Sequence, residues 1–133
     1  MGVAVYALPS YCGEKDRWEL SRFCLIPLLP KNSASWFLSR TVNFVKEKGI
    51  VGGLVSYADT EFHLGSIYKA TNWIEKGQVK GSYHYVNEGG DPVSRQYVWR
   101  HCKSLGISEK DYARNMGFVK IDGSLKSKFI VNF

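Results

Sequence analysis

The stretch IVGGLVSYADTEFHLGSIYKATNW, residues 50–73, decides the fold. Ile50 to Tyr57 is a nearly continuous apolar run with two glycines. Such a run reads as a buried strand covered on both faces. Asp59-Thr60 begins a turn. A second helix is expected over His63 to Thr71, because Leu64, Ile67, Tyr68 and Thr71 sit at helical spacing. Asn72 stands where a left-handed residue ends a helix.

Outward from this centre, Pro30-Lys31-Asn32-Ser33 opens a first helix with Asn32 or Ser33 as N-cap. It should run to about Lys48, with Leu38, Thr41, Val42 and Val45 as its buried stripe and Gly49 as its stop. Trp18 to Ile26 reads as a strand closed by Pro27. Gly2 to Leu8 reads as another, ending at Pro9, and polar residues 10–17 as the hairpin loop between them. Trp73-Ile74 resumes an extended path to Gly77, and Val79 to Val86 is a further strand. Ser94 caps a short helix ended by Gly106; Ser108 and Asp111 start another, ended by Gly117. Phe118 to Ile121, the Asp122-Gly123 turn and Lys128 to Phe133 read as a terminal hairpin. The order is mixed α/β (α+β), with strands mostly antiparallel at both ends. One domain over residues 1–133 is expected, with a basic helical insertion at about 93–117.

A chain of 133 residues can bury one core. Its 44% hydrophobic and 23% charged residues exclude a disordered chain. No apolar run is long enough to span a membrane. Met1-Gly2-Val3-Ala4-Val5-Tyr6 lacks the basic start of a secretory signal, so a cytoplasmic location is expected. Cys12, Cys24 and Cys102 are odd in number and have no metal-ligand spacing, which suggests reduced thiols and no metal site.

The net charge of +6 is uneven. Residues 67–133 carry 11 basic and 6 acidic side chains, against 7 and 6 in residues 1–66. A basic half rich in aromatics suits a polyanion such as DNA; a solvated basic surface would read the same way. Arg95, Arg100, His101, Lys103, Lys110 and Arg114 cluster in the two small helices, with Tyr97, Trp99 and Tyr112 interleaved. Cations there can neutralise phosphates while aromatics stack on an extruded base. The alternative is a solvated helix pair with its aromatics turned inward. Lys31, Asn32, Ser33 and Ser35 would line the mouth of the first helix, where free N–H groups and the dipole favour a phosphate. The alternative is an ordinary N-cap. His84 and His101 carry no pattern.

The order from Trp18 to Trp73 resembles the GNAT acyltransferase superfamily. That resemblance implies a strand-to-helix turn holding a donor pyrophosphate, a splayed strand pair, and a helix tyrosine that protonates the departing thiolate. Tyr68 occupies the tyrosine's place, and packing on the sheet is its plain alternative. Asn72 and Trp73 stand where the family has glycine and phenylalanine. The usual pyrophosphate loop is absent, with Leu29 to Ala34 in its place, and the fold is shortened at the amino end.

A closer resemblance is to the Mom family of phage DNA-modification proteins. It rests on Gly2-Val3-Ala4-Val5, Glu19-Leu20-Ser21-Arg22, Pro30 to Leu38, Ser56-Tyr57-Ala58-Asp59-Thr60, His63 to Trp73, and the closing Lys126-Ser127-Lys128-Phe129-Ile130-Val131. The resemblance implies a GNAT-like transferase that places a carbamoylmethyl group on the exocyclic amine of adenine, an anti-restriction activity. Acetyl-CoA or another acyl donor is suspected, and iron is implied by the family alone, with no ligands mapped by spacing.

Within that resemblance, Asp59 at the end of a buried strand is a general base or holds the target amine; otherwise it caps a helix. Ser56 flanks the same strand end. His63 is a base or ligand, or a structural histidine. Arg22 binds a phosphate or pairs with Glu19 or Asp59. Arg22, Arg95, Arg100, Lys103, Lys126 and Lys128 are the expected DNA contacts. A homodimer through exposed strand edges is a further expectation. The rival functions are a GNAT N-acyltransferase for a small-molecule or protein amine, and a non-catalytic nucleic-acid-binding module on a shortened scaffold.

Overall fold

The computed structural model of the chain describes residues 1–8 and 16–133. Most of the expected loop at 10–17, together with Pro9 and Cys12, lies outside the described residues. The chain forms two compact units, Met1–Val79 with Lys126–Phe133, and Lys80–Leu125. The architecture is mixed α+β, with four helices and eight strands among the described residues. Among the described residues, no helix is long and apolar enough to cross a membrane.

The first unit is built on a five-stranded sheet. Its strands are β1 (Gly2–Ala7), β2 (Trp18–Leu25), β3 (Leu54–Asp59), β8 (Leu125–Val131) and β4 (Ile74–Lys80), in the order β1-β2-β3-β8-β4. β1 pairs antiparallel with β2, and β3 antiparallel with β8. β2 and β3 are parallel, joined by helix α1 (Ser33–Glu47), so the centre is a strand–helix–strand crossover. α1 buries Leu38 and Val45, while Thr41 and Val42 are half-buried. Leu20, Leu38, Val45, Leu54, Ala58, Tyr68, Trp73 and Phe129 form this unit's core.

β3 is buried on both faces, as its apolar run implies: Leu54, Ser56 and Ala58 face one way and Val55 the other. It begins at Leu54 rather than Ile50. Gly52 and Gly53 have φ of +89° and +113°, and a Cβ on them would strike the carbonyls of Asp16 and Val131. The chain bends there before it can extend. Arg17 clamps this bend, donating to Gly52 O (2.9 Å), Val131 O (3.1 Å) and Asn132 Oδ1 (2.6 Å).

Helix α2 is shorter than its periodicity suggests, spanning Ser66–Ala70. Residues 63–65 belong to the preceding turn, in which Asp59 O accepts from the amides of Phe62 and His63. Gly65 then takes the left-handed conformation at the helix start. Asn72 is left-handed, with φ +62°, as expected at a helix end.

The expected terminal hairpin does not form. β7 (Val119–Ile121) pairs with β5 (His84–Val86) in a separate sheet, whereas β8 inserts between β3 and β4. A local Asp-Gly turn signal does not select the partner. Phe129 and Ile130 are both buried on successive positions, which only an interior strand can satisfy.

The second unit has the sheet β6-β5-β7, with β6 at Pro92–Val93, packed by α3 (Arg95–Leu105) and α4 (Glu109–Met116). Ser94 and Ser108 cap these helices through the amides of Tyr97 and Asp111, and Gly106 and Gly117 end them in left-handed conformation. Tyr85, Val98, Cys102, Tyr112 and Ala113 form its core.

Candidate functional site

The parallel ladder of β2 and β3 is short. Trp18 is in register with Leu54 and Glu19 with Val55, and no further pair follows, although β2 continues to Leu25 and β3 to Asp59. β2 carries a bulge here. Val5 opposes Arg22 and Tyr6 opposes Leu20, so Ser21 is the extra residue, and its hydroxyl donates to Val5 O at 3.2 Å. A bulge bends its strand and increases the local twist, which turns β2 away from a straight parallel partner.

At the point where the ladder stops, side chains replace the backbone bonds. Leu20 and Ser56 are the residues next after the last pair. The Ser56 hydroxyl donates to Leu20 O at 3.2 Å and lies 2.8 Å from the Tyr68 hydroxyl. With the serine proton committed to the carbonyl, the tyrosine is the donor in the second bond. Ser56 is 1% exposed and Tyr68 7%, so this pair is held out of water.

The tyrosine ring is fixed on both sides. It stacks on Phe129 with centroids 4.9 Å apart and meets Trp73 edge-on at 5.3 Å. A Cβ on Gly65 would collide with the Phe129 ring, so that close approach requires glycine in addition to its φ of +72°. Burial pushes the Tyr68 phenol above its ordinary range, and the Ser56 bond opposes the shift only in part. The phenol is therefore protonated at neutral pH. Trp73 Nε1 is buried and has no partner among the described residues.

Asp59 and His63 lie at the carboxyl end of β3. Asp59 Oδ1 accepts from the Glu61 amide at 3.1 Å, and His63 Nδ1 accepts from the Gly65 amide at 3.3 Å. Asp59 thus organises the turn into α2. Strand alternation puts its side chain on the opposite face of β3 from Ser56. On that opposite face its register neighbour is Lys126, and Tyr57 stands across from Lys128. The four expected catalytic residues therefore divide: Ser56 and Tyr68 are bonded to each other, whereas Asp59 and His63 share the turn.

The mouth of α1 differs from the expected N-cap. Asn32 is left-handed, with φ +68°, and its side chain makes no cap bond. The Ser33 and Ser35 hydroxyls donate backward to Pro30 O (2.7 Å) and Asn32 O (3.0 Å). The amides of Ser33 and Trp36 bond to the same two carbonyls. Those of Ala34 and Ser35 are the first-turn donors left for a ligand, and Lys31 beside them is exposed. Arg22 is exposed and donates to Ser21 O at 2.8 Å.

The basic helices mix the two readings. Tyr112 is buried, while Tyr97 and Trp99 are about half exposed. Lys103 sits 4.7 Å over the Trp99 ring and Arg95 4.5 Å over Tyr83; Arg100 is exposed.

Sequence reasoning missed three parts of the site: the bulge at Ser21, the Phe129 platform and the Arg17 clamp. Phe129 and Arg17 act at long sequence separation, and no local pattern marks them. Gly65, three residues before Tyr68, was the one local signal available. Compared with known proteins, the model of the Mom protein family matches residues 3–124. No match was found among curated proteins.

Proposed function

The chain belongs to the Mom protein family, whose members modify phage DNA, and from that premise we propose that it is a transferase acting on the exocyclic amine of adenine in DNA. The modified base would shield the phage genome from host restriction. The observation that carries the reading is the Tyr68–Ser56–Leu20 relay at the end of the β2–β3 ladder.

Tyr68 suits the role of a hydrogen-bond donor to an anion that develops on a leaving group. Its raised pKa makes it unable to lose its proton outright to a thiolate of ordinary basicity, near 8.5 on the usual scale. Stabilisation would come from a short bond in a dry site, where such a bond is worth more than in water. Ser56 would hold the phenol in one orientation by accepting its hydrogen bond in the resting state. Asp59, on the opposite face of β3 from this pair, would act through the turn that leads into α2, the helix that carries Tyr68.

An acyl-type donor fits two features: the open amides and Lys31 at the mouth of α1, and the unsatisfied indole N–H of Trp73 beside Tyr68. When bound, the donor supplies the transferred group. Iron finds no such support, because no three His, Cys, Asp or Glu side chains gather among the described residues.

The test is to co-express the protein with a plasmid, digest the DNA to nucleosides and measure their masses. A mass-shifted deoxyadenosine that disappears with Tyr68→Phe is the expected result. Unshifted DNA from cells that contain folded protein would sink the reading.

A further inference from the structure

Two loops leave the carboxyl ends of β2 and β3, over residues 26–32 and 60–65. These strands are parallel neighbours, so both loops stand at one end of the first unit's sheet. Each presents a large apolar side chain to water. Leu28 is fully exposed, and Phe62 is 81% exposed. A lone exposed leucine is ordinary. Leu28 is not, because its φ is +66°. A bulky residue in the left-handed region is an outlier that packing or function must sustain. Packing does not sustain this one, since the side chain lies wholly in solvent.

Both loops hold these side chains out stiffly. Pro27 fixes its own φ, and Pro30 restricts Leu29 to extended backbone, so Leu28 stands between two rigid neighbours. The Phe62 turn is braced at Asp59. Its carbonyl accepts from the amides of Phe62 and His63 at 3.1 Å, and its Oδ1 accepts from Glu61. Lys31 follows the first tip, and Glu61 and His63 flank the second; all three are exposed. The surface is therefore two apolar points set among polar groups. A lipid surface calls for a continuous apolar face, and the carboxylate of Glu61 beside Phe62 opposes an anionic one.

Two stiff apolar points suit insertion between stacked bases, where leucine and phenylalanine serve as wedges that part a base step. The Ser56–Tyr68 pair gives such insertion a purpose. Both side chains are buried, so a base still stacked in a duplex does not reach them. We propose that Leu28 and Phe62 form a wedge that enters the duplex beside the target base and fills the space left as that base is extruded. The proposal rests on the DNA-modification reading and deepens it. It assigns the opening of the duplex to two residues that take no part in the transfer. It also gives the Asp59 turn a task, because that turn fixes the direction of Phe62.

Permanganate oxidises unstacked thymines, so it reads the opening without any donor. Plasmid DNA mixed with the whole protein should gain reactive thymines opposite extruded adenines. Leu28→Gly suits the left-handed backbone and removes only the side chain. Phe62→Ala removes an exposed ring. At equal occupancy of the DNA, the double variant should lower the reactivity at least about tenfold. Undiminished reactivity in that variant would overturn the proposal, as would plasmid bound by the wild type with no reactive thymine. Opening that stays intact while binding to phosphatidylglycerol vesicles is lost would overturn it in favour of a lipid surface. The two readings fail separately. Unmodified plasmid with opening that depends on these two side chains defeats the transferase alone. Modified plasmid with opening indifferent to them defeats the wedge alone.

Discussion

The Tyr68 hydroxyl lies 2.8 Å from the Ser56 hydroxyl, at the position where the parallel ladder between β2 and β3 ends. Ser56 in turn bonds the Leu20 carbonyl at 3.2 Å. One serine thus closes the gap between two strands and orients a buried phenol. Structure and proposed chemistry depend on the same two side chains, and the two roles can be separated by substitution.

Tyr68→Phe keeps the ring that stacks on Phe129 and removes only the hydroxyl. The stability loss should be about 1 kcal/mol, a typical net hydrogen bond. DNA modification should fall far more than that loss explains. Ser56→Ala leaves Tyr68 without its acceptor and should cost about 1–3 kcal/mol. Urea denaturation of the two single variants and the double variant should reveal coupling of at least about 0.5 kcal/mol. Simple additivity would show that the bond is not an energetic unit.

Gly65→Ala should destabilise the fold by at least about 1–2 kcal/mol, the cost of a left-handed backbone at a residue with a Cβ. Collision with the Phe129 ring adds to that. Thermal melting reads it. An unchanged midpoint would mean that the turn before α2 relaxes without strain.

Arg17→Ala removes donors to Gly52 O, Val131 O and Asn132 Oδ1. A loss of about 1.5–3 kcal/mol is expected, since the donor is charged. Lys at this site should not restore it, because an ammonium lacks the planar fork that reaches acceptors on two segments. Denaturation midpoints for the two variants distinguish these outcomes.

Alkaline pH should weaken the second unit. Tyr85 is raised from 10.0 to about 12, first by burial and then by the Glu109 charge. The folded state therefore holds this proton more tightly than the unfolded chain. The stabilisation is complete below pH 10 and is lost as pH climbs through about 12. Denaturation midpoints should fall across that window, and Tyr85→Phe should flatten the fall. An equal slope in the variant would assign the effect to other groups.

Arg100→Ala and Lys103→Ala test the basic helices. If they contact phosphates, each should weaken DNA binding about equally across sequences and lower the salt slope by roughly one. An unchanged slope would return these residues to the solvated surface.

Local signals determined a good part of this protein. The Ser94 and Ser108 caps, the left-handed stops at Asn72, Gly106 and Gly117, the α1 core stripe and the burial of β3 on both faces all follow from spacing and residue type. These features depend on backbone geometry within a few residues, so neighbours in sequence suffice to specify them. The block from Ser56 to Trp73 likewise marked the family.

Tertiary structure decided what lies between distant segments. It set β8 beside β3 instead of in a hairpin with β7, because Phe129 and Ile130 both need burial. It bonded Ser56 to Leu20 only because the Ser21 bulge and the short ladder left that carbonyl to a side chain. It also brought Glu109 against two tyrosines more than twenty residues earlier. Partner choice across such separations is a matter of burial and register summed over the whole sheet, which no local stretch of sequence contains.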